Sequence, residues 1–319
     1  MKKGFAIMAA LIALGITAVL LPLMQKGGIT GRQASELSNE AAFEYRLLFC
    51  SETDCLEELA TLINGSSHAD CAMYNFNDRL LGVTRGREMR VVTDHGYKED
   101  RQFIRKSNGS GLMHNKFCIF NGSTVLTGSF NPSSSRKDRN NIIIVSSKQL
   151  AKNYEAEFDE LWGGVYGKGA KTANSRLKLN STVIENYFCP EDSCADNVQD
   201  AIESANSSVY FMAYSFTHRG IANSLILRNI SGVDVRGVID SSSGKEVYEL
   251  LKAQGMNVQL DKNKGVMHHK VFIIDGKTVI TGSFNPTYSA DERNDENLLI
   301  IHDEEVAARY LEEFWKVFG

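Results

Sequence analysis

The sequence carries no excess of positive charge: 35 Lys and Arg stand against 39 Asp and Glu, a formal net charge of -4 over 319 residues. That balance argues against a surface built to hold long duplex nucleic acid by bulk electrostatics and confines any polyanion site to a local cleft. After the first apolar run there is no second one long enough to cross a bilayer, and no A-x-A-like cleavage site follows the first. Also missing is a His, Cys and carboxylate cluster that would demand a metal at a reactive site, so the expectation is no metal and no cofactor.

What the N-terminus does have is Lys2 and Lys3 ahead of an uncharged run from Gly4 to Met24, about the 20 residues a helix needs to span a bilayer core. This predicts an uncleaved signal anchor over 4–24 and a juxtamembrane linker over 25–43, with the remainder on the extracytoplasmic side of the membrane. A secreted protein after signal cleavage is the alternative. Cysteine usage agrees with an oxidising compartment. Phe49-Cys50-x4-Cys55 and Phe188-Cys189-x4-Cys194 are two copies of one pattern, predicting short disulfides Cys50–Cys55 and Cys189–Cys194, with a shared four-cysteine zinc site as the alternative. For Cys71 and Cys118, two buried thiols and a third disulfide both stand open.

The repeated cysteine pattern belongs to an internal duplication. Gly111 to Ser133 reads GLMHNKFCIFNGSTVLTGSFNPS and Gly265 to Thr287 reads GVMHHKVFIIDGKTVITGSFNPT, with 14 of 23 positions identical. Tyr74-x-Phe76 matches Tyr214-x-Phe216, Arg90 to Asp94 resembles Arg236 to Asp240, and Tyr154-x3-Phe158 matches Tyr310-x3-Phe314. One copy spans 44–163 and the other 183–319, and the Gly- and Lys-rich stretch over 164–182 reads as a linker. Within each copy, short apolar runs such as Val209 to Tyr214 and Val271 to Ile274 alternate with helical patterns such as Lys245 to Ala253 and Glu304 to Phe318. This implies an α/β layered sandwich, with the middle helices of copy one trimmed.

Each His-x-Lys, at His114/Lys116 and His268/Lys270, opens a strand-like run, so the His and Lys side chains share a face and Asn115 or His269 points away. A turn at Gly122 or Gly276 leads back through Gly-Ser-Phe-Asn, returning Ser129/Asn131 and Ser283/Asn285 toward the His/Lys pair. Imidazole, ammonium, hydroxyl and amide together bind an anion and supply a nucleophile or acid. The spacing HxKx4D followed by GSxN resembles the phospholipase D superfamily. Copy two fits it in full, with His268, Lys270, Asp275, Ser283, Asn285 and Glu296; copy one has Asn121 at the Asp position and Asn140 at the Glu position. The flanks look most like the small bacterial endonucleases of this superfamily and their membrane-anchored Zucchini/cardiolipin hydrolase relatives.

That resemblance implies two tandem phospholipase D-like α/β sandwich repeats forming a pseudo-twofold dimer behind one transmembrane helix, with a single site between the copies and no oligomer required. It also implies metal-independent cleavage of a phosphodiester in a phospholipid or a single-stranded nucleic acid. One His would form a phosphohistidine and the other serve as acid, with His114 favoured as nucleophile. Lys116, Lys270, Ser129, Ser283, Asn131 and Asn285 would hold the non-bridging oxygens, and Tyr214 and Phe216 offer faces on which bases could stack. The rival reading is a non-catalytic phosphate-binding module in which Asn121 and Asn140 mark decay. His68, His95, His218 and His302 lack a partner pattern and read as surface or packing residues, His218 being nearest the expected cleft.

Overall fold

In the computed structural model, residues 38–40, 44–83, 86 and 88–319 are described. The anchor read over 4–24 lies outside them, as does most of the segment over 25–43. Among the described residues no helix is long and apolar enough to cross a membrane.

Copy one forms a seven-stranded sheet from β2 (Glu44–Phe49), β3 (His68–Met73), β4 (Glu88–Thr93), β5 (Ile104–Lys106), β6 (Lys116–Phe120), β7 (Thr124–Gly128) and β8 (Asn141–Ser146), in the order β2-β8-β7-β6-β3-β4-β5. Copy two contributes β10 (Thr182–Cys189), β11 (Ser208–Ala213), β12 (Asp234–Ile239), β13 (Asn257–Leu260), β14 (Lys270–Ile274), β15 (Thr278–Gly282) and β16 (Glu296–His302), in the corresponding order β10-β16-β15-β14-β11-β12-β13. The duplication read from sequence is therefore a duplication of topology. Two further strands extend the second sheet beyond β10: β9 (Arg176–Leu179) pairs antiparallel with β10, and β1 (Ser38–Glu40) pairs parallel with β9. Parts of both segments read as linkers are thus strands, of only three and four residues.

The helices follow the same doubling. Copy one has α1 (Cys55–Gly65), the single turn α2 (Asp78–Leu81) and α3 (Lys148–Trp162); copy two has α4 (Cys194–Glu203), α5 (Arg219–Ile230), α6 (Lys245–Ala253), α7 (Tyr288–Glu292) and α8 (Glu304–Phe318). Copy one, as expected, is trimmed in the middle. Each terminal helix starts on a side-chain cap that satisfies free amides: Ser147 accepts from Leu150 N, and Asp303 from Glu305 N and Val306 N. Apolar residues every three or four positions, Tyr154 and Phe158 on α3, Tyr310 and Phe314 on α8, line one core that draws on the inner faces of both sheets. Burying each such side chain contributes about 1.5–3 kcal/mol, and the copies share this hydrophobic centre. Separate clusters cover the outer faces, copy one against α1 and copy two against α4, α5 and α6.

Three disulfides occur: Cys50–Cys55, Cys189–Cys194 and Cys71–Cys118, with Cα separations of 5.3, 5.7 and 4.1 Å. The first two stand where the repeated spacing predicts them. The third joins residues directly opposite on β3 and β6, and in copy two the same register places Phe211 opposite Phe272, stacked at 5.9 Å. A covalent bond in one copy thus occupies the position of an aromatic pair in the other.

Candidate active site

Each His-x-Lys segment is pinned from both copies. Met113 N donates to the Asp94 carboxylate of its own copy (3.2 Å), and His114 N donates to Asp295 O of the other (2.9 Å). In copy two, Met267 N donates to Asp240 (3.0 Å) and His268 N to Arg139 O (2.9 Å). The returning strands are tied by glycine: Gly128 and Gly282 hold φ of +144° and +141°, and a Cβ on either would lie 2.3 Å from the Asn141 or Asn297 carbonyl oxygen. Only glycine allows that approach, which brings the Ser-Phe-Asn segments in against the following strand.

The histidines are buttressed across the copies. His114 Nδ1 donates to Glu296 Oε2 at 2.7 Å; that oxygen also accepts from Ser283 Oγ at 2.6 Å, and Oε1 accepts from Asn294 Nδ2 at 3.2 Å. His268 Nδ1 faces Asn140 Oδ1 at 2.9 Å and Ser129 O at 3.0 Å. Both are oxygen acceptors, so Nδ1 carries the hydrogen and Nε2 keeps its lone pair. Ser129 Oγ donates to Asn140 Oδ1 at 3.1 Å, mirroring Ser283 on Glu296. Glu296 therefore serves His114, a relation that sequence leaves undecided, and Asn140 offers His268 a neutral acceptor in the corresponding place.

Lys116 Nζ donates to His114 O at 2.7 Å and Lys270 Nζ to His268 O at 2.9 Å. Tyr74 stands 5.4 Å from the first ammonium and 5.2 Å from the His114 ring; Tyr214 stands 5.0 Å from the second and 4.7 Å from His268. Burial and mutual repulsion dominate the electrostatics. Lys116 is lowered to about 7 by burial, against the pull of Glu296 and Asp94. Lys270 is driven well down by burial and by Lys116. His114 is held well below its usual range by burial and then by the two lysines; His268 likewise, with His114 itself contributing. Glu296 is raised to about 7 by burial. Burial thus disfavours the charged form of every cation here, and a nearby negative charge would favour it.

Two groups of expected site residues stand elsewhere or do something else. Asp275 lies at the far end of β14 from Lys270, in an Asp-Gly turn with φ of +52° and +63°; copy one has Asn121-Gly122 at +50° and +61°. Positive φ at both positions is the signature of a tight hairpin turn, and Asn and Asp tolerate it. The Asp275 carboxylate accepts from the amides of Asn206, Ser207 and Ser208, as Asn121 Oδ1 accepts from those of Ser67 and His68. Asp275 is thus a turn residue at the far end of the strand from Lys270, and Asn121 fills the same turn position in copy one. Ser129 and Ser283 are fully buried and bonded to Asn140 and Glu296, so they position those groups rather than reach an anion. Asn131 and Asn285 each hold a buried Oδ1 with no hydrogen-bond partner among the described residues.

Of the other expectations, Phe216 is fully buried and cannot stack a base. His218 caps α5 by accepting from Ile221 N and packs on Tyr288. What sequence reasoning did not assign is the layer behind the motifs. Asn297 donates through Nδ2 to Asn115 Oδ1 (3.0 Å) and accepts at Oδ1 from Thr127; Asn141 Nδ2 donates to Thr281 (3.0 Å) and Tyr310 (2.9 Å), while His269 Nδ1 meets Asn141 Oδ1 at 3.0 Å. This buried polar lattice crosses between the copies twice, once for each motif. Its signal was present as the repeated Asn that ends Asp138-Arg-Asn-Asn141 and Asn294-Asp-Glu-Asn297.

Comparison with known proteins places this arrangement. Residues 59–162 and 198–318 match the family of cardiolipin synthase, phospholipase D-like domains. The chain is 40% identical over 139 residues to a phospholipase D of Rickettsia conorii, covering 42% of this chain and 69% of that protein. It is 36% identical over 122 residues to the mitochondrial cardiolipin hydrolase of Mus musculus, covering 37% and 55%. Among solved structures, Nuc, a phospholipase D family member from Salmonella typhimurium, is 34% identical over 43% of this chain and 95% of its own, with a TM-score of 0.41. The phosphatidylserine synthase of Haemophilus influenzae shares the fold at 11% identity and a TM-score of 0.65, over 85% of each chain.

Proposed function

We propose that this chain, which belongs to the phospholipase D-like family and is a phosphodiesterase, cleaves its substrate in two steps at one site shared by its two copies, with His114 as nucleophile and His268 as acid. The observation that carries the assignment is the unequal buttressing of the imidazoles. His114 Nδ1 bonds a carboxylate and His268 Nδ1 bonds two neutral oxygens. A phosphohistidine carries positive charge on its ring, so an anionic partner favours the covalent intermediate on His114. A ring with only neutral partners releases its proton more readily, which suits His268.

In the first step the His114 Nε2 lone pair forms the N–P bond as the P–O bond to the leaving group breaks, and His268 Nε2–H gives its proton to the departing oxygen. In the second, His268 takes a proton from water, the hydroxide attacks phosphorus, and the N–P bond breaks to release the product and free His114. In this reading Lys116 and Lys270, with the amides of Asn131 and Asn285, hold the non-bridging oxygens. The bound phosphodiester also supplies the negative charge that keeps the lysines and one imidazole protonated.

The test uses His114→Ala and His268→Ala on bis(p-nitrophenyl) phosphate and on natural diesters, in chelator, with acid-quench trapping of phosphohistidine. His114→Ala is expected to lose both turnover and the adduct. His268→Ala should lose natural diesters yet still form adduct from the nitrophenyl ester, whose leaving group needs no proton. Full activity of His268→Ala on natural diesters, or inactivation by chelator, would refute the mechanism. For location, three disulfides among the described residues support an oxidising, extracytoplasmic compartment. We read 4–24 as the anchor that holds the enzyme there, to be tested by carbonate extraction of membranes and protease protection.

A further inference from the structure

The two copies also differ beside the returning Ser-Phe-Asn segment. In copy two, α7 folds over the disulfide corner: Tyr288 packs on His218 with ring centroids 4.4 Å apart, and Asp291 accepts from Ala195 N at 2.8 Å. Arg219 there is paired with Glu246. Copy one has the loop over 133–138 in place of that helix, and a cavity of about 260 Å³ remains beside the Cys50–Cys55 disulfide. Phe130 and Pro132, the two chain neighbours of Asn131, line it.

The lining is polar and cationic. Arg79, the counterpart of Arg219, has no ion pair or side-chain hydrogen bond to the described residues. Arg136 lies 3.5 Å from Asp54, and that side chain is 79% exposed. Asp54 already accepts the amides of Leu56 and Glu57 as the cap of α1. Two guanidiniums thus face one committed carboxylate, and an exposed pair of this kind contributes little, so Arg136 can exchange it for a better anion. Guanidinium forks suit phosphate oxygens, and Thr53, Ser134 and Ser135 add groups that can bond sugar hydroxyl or phosphate. Acyl chains would need a broad apolar wall, and Leu56, Phe130 and Pro132 do not form one.

We propose that this cavity of copy one is a second anion subsite that takes the phosphate flanking the scissile one in a single strand of nucleic acid. The inference rests on the phosphodiesterase reading above and adds to it the substrate class and the direction in which the strand leaves the site. Copy two's filled corner would then force the strand out along copy one.

The experiment compares full-length wild type with Arg79→Ala, Arg136→Ala, the double variant, and Arg219→Ala as the copy-two control. Substrates are bis(p-nitrophenyl) phosphate, a dinucleoside monophosphate, a single-stranded decamer, and phosphatidylcholine or cardiolipin vesicles. The expected result is a rise in KM for the decamer of about three- to tenfold per arginine, with kcat unchanged and no effect on the two single-phosphate esters. The salt dependence of log KM for the decamer should flatten by about 0.7 for each phosphate that an arginine no longer neutralises. Arg219→Ala should leave every substrate unaffected. Unchanged decamer KM, an equal rise on the single-phosphate esters, or an effect confined to vesicles would overturn the subsite. Anisotropy of a labelled decamer on His114→Ala tests the subsite apart from turnover: its affinity should fall on adding the two arginine substitutions. Failure of wild type on bis(p-nitrophenyl) phosphate with that binding difference intact would instead overturn the catalytic reading.

Discussion

Glu296→Gln separates what this carboxylate does for the fold from what it does for the reaction. The residue is wholly buried, and Oε2 takes both His114 Nδ1–H and Ser283 Oγ–H. A glutamine can keep one oxygen toward the imidazole, as Asn140 does for His268, so the tautomer survives and only the charge is lost. A hydrogen bond to a charged group contributes about 1.5–3 kcal/mol and a neutral one about 0.5–1.5. The intermediate on His114 should therefore lose about 1–2 kcal/mol, a 5- to 30-fold fall in kcat/KM. Stability should move the other way. Burial raises Glu296 from 4.5 to about 7, so the native state holds a proton that the unfolded chain gives up above pH 4.5. That contribution is complete below 4.5 and is lost as pH rises through 7, roughly 3 kcal/mol at 1.36 kcal/mol per pH unit. The glutamine variant lacks this slope. Denaturant melts from pH 4.5 to 8 should show it gaining on wild type with rising pH, while steady-state rates and phosphohistidine trapping measure the catalytic loss. A loss as deep as that of His114→Ala, or wild-type rates, would refute the buttress argument; parallel stability curves would refute the burial argument.

Asp275→Asn should leave kcat within about twofold of wild type, because Asn121 fills the same turn position in copy one; a tenfold loss would return Asp275 to the chemistry. Replacing Cys71 and Cys118 together by Ala should cost about 4 kcal/mol in the chain-entropy account, against about 2 for either short disulfide, since 47 residues separate the pair rather than 5; equal losses in urea melts would contradict this. Tungstate, an inert phosphate mimic, should raise Tm more at pH 7 than at pH 10. The depressed Lys116 binds a proton only below about 7 in the empty native state, and the unfolded chain holds one to about 10.5. Native stability thus rises with pH across that window, and a bound anion removes the penalty at its low end. A pH-independent shift in calorimetry would count against it.

The duplication, both sheets' central strands, the two short disulfides and the His/Lys pairs were legible along the chain, because each is written in local spacing: period two along strands, a fixed interval between motifs, one cysteine pattern stated twice. It also presented Asp275 as part of the motif, since a linear pattern cannot tell a residue selected for a left-handed turn from one selected for reaction. Tertiary structure decided which carboxylate supports which imidazole. Glu296 and His114 stand 182 residues apart, and their meeting depends on how two copies pack face to face through Asn141, Asn297, Thr127 and Thr281. The register of β3 against β6 paired Cys71 with Cys118. The filled corner of copy two and the open one of copy one likewise follow from packing, where a five-residue helix either covers the disulfide or is absent. Pairings of that kind are set by the shape complementarity of surfaces that exist only once the chain has folded, so no interval along the sequence encodes them.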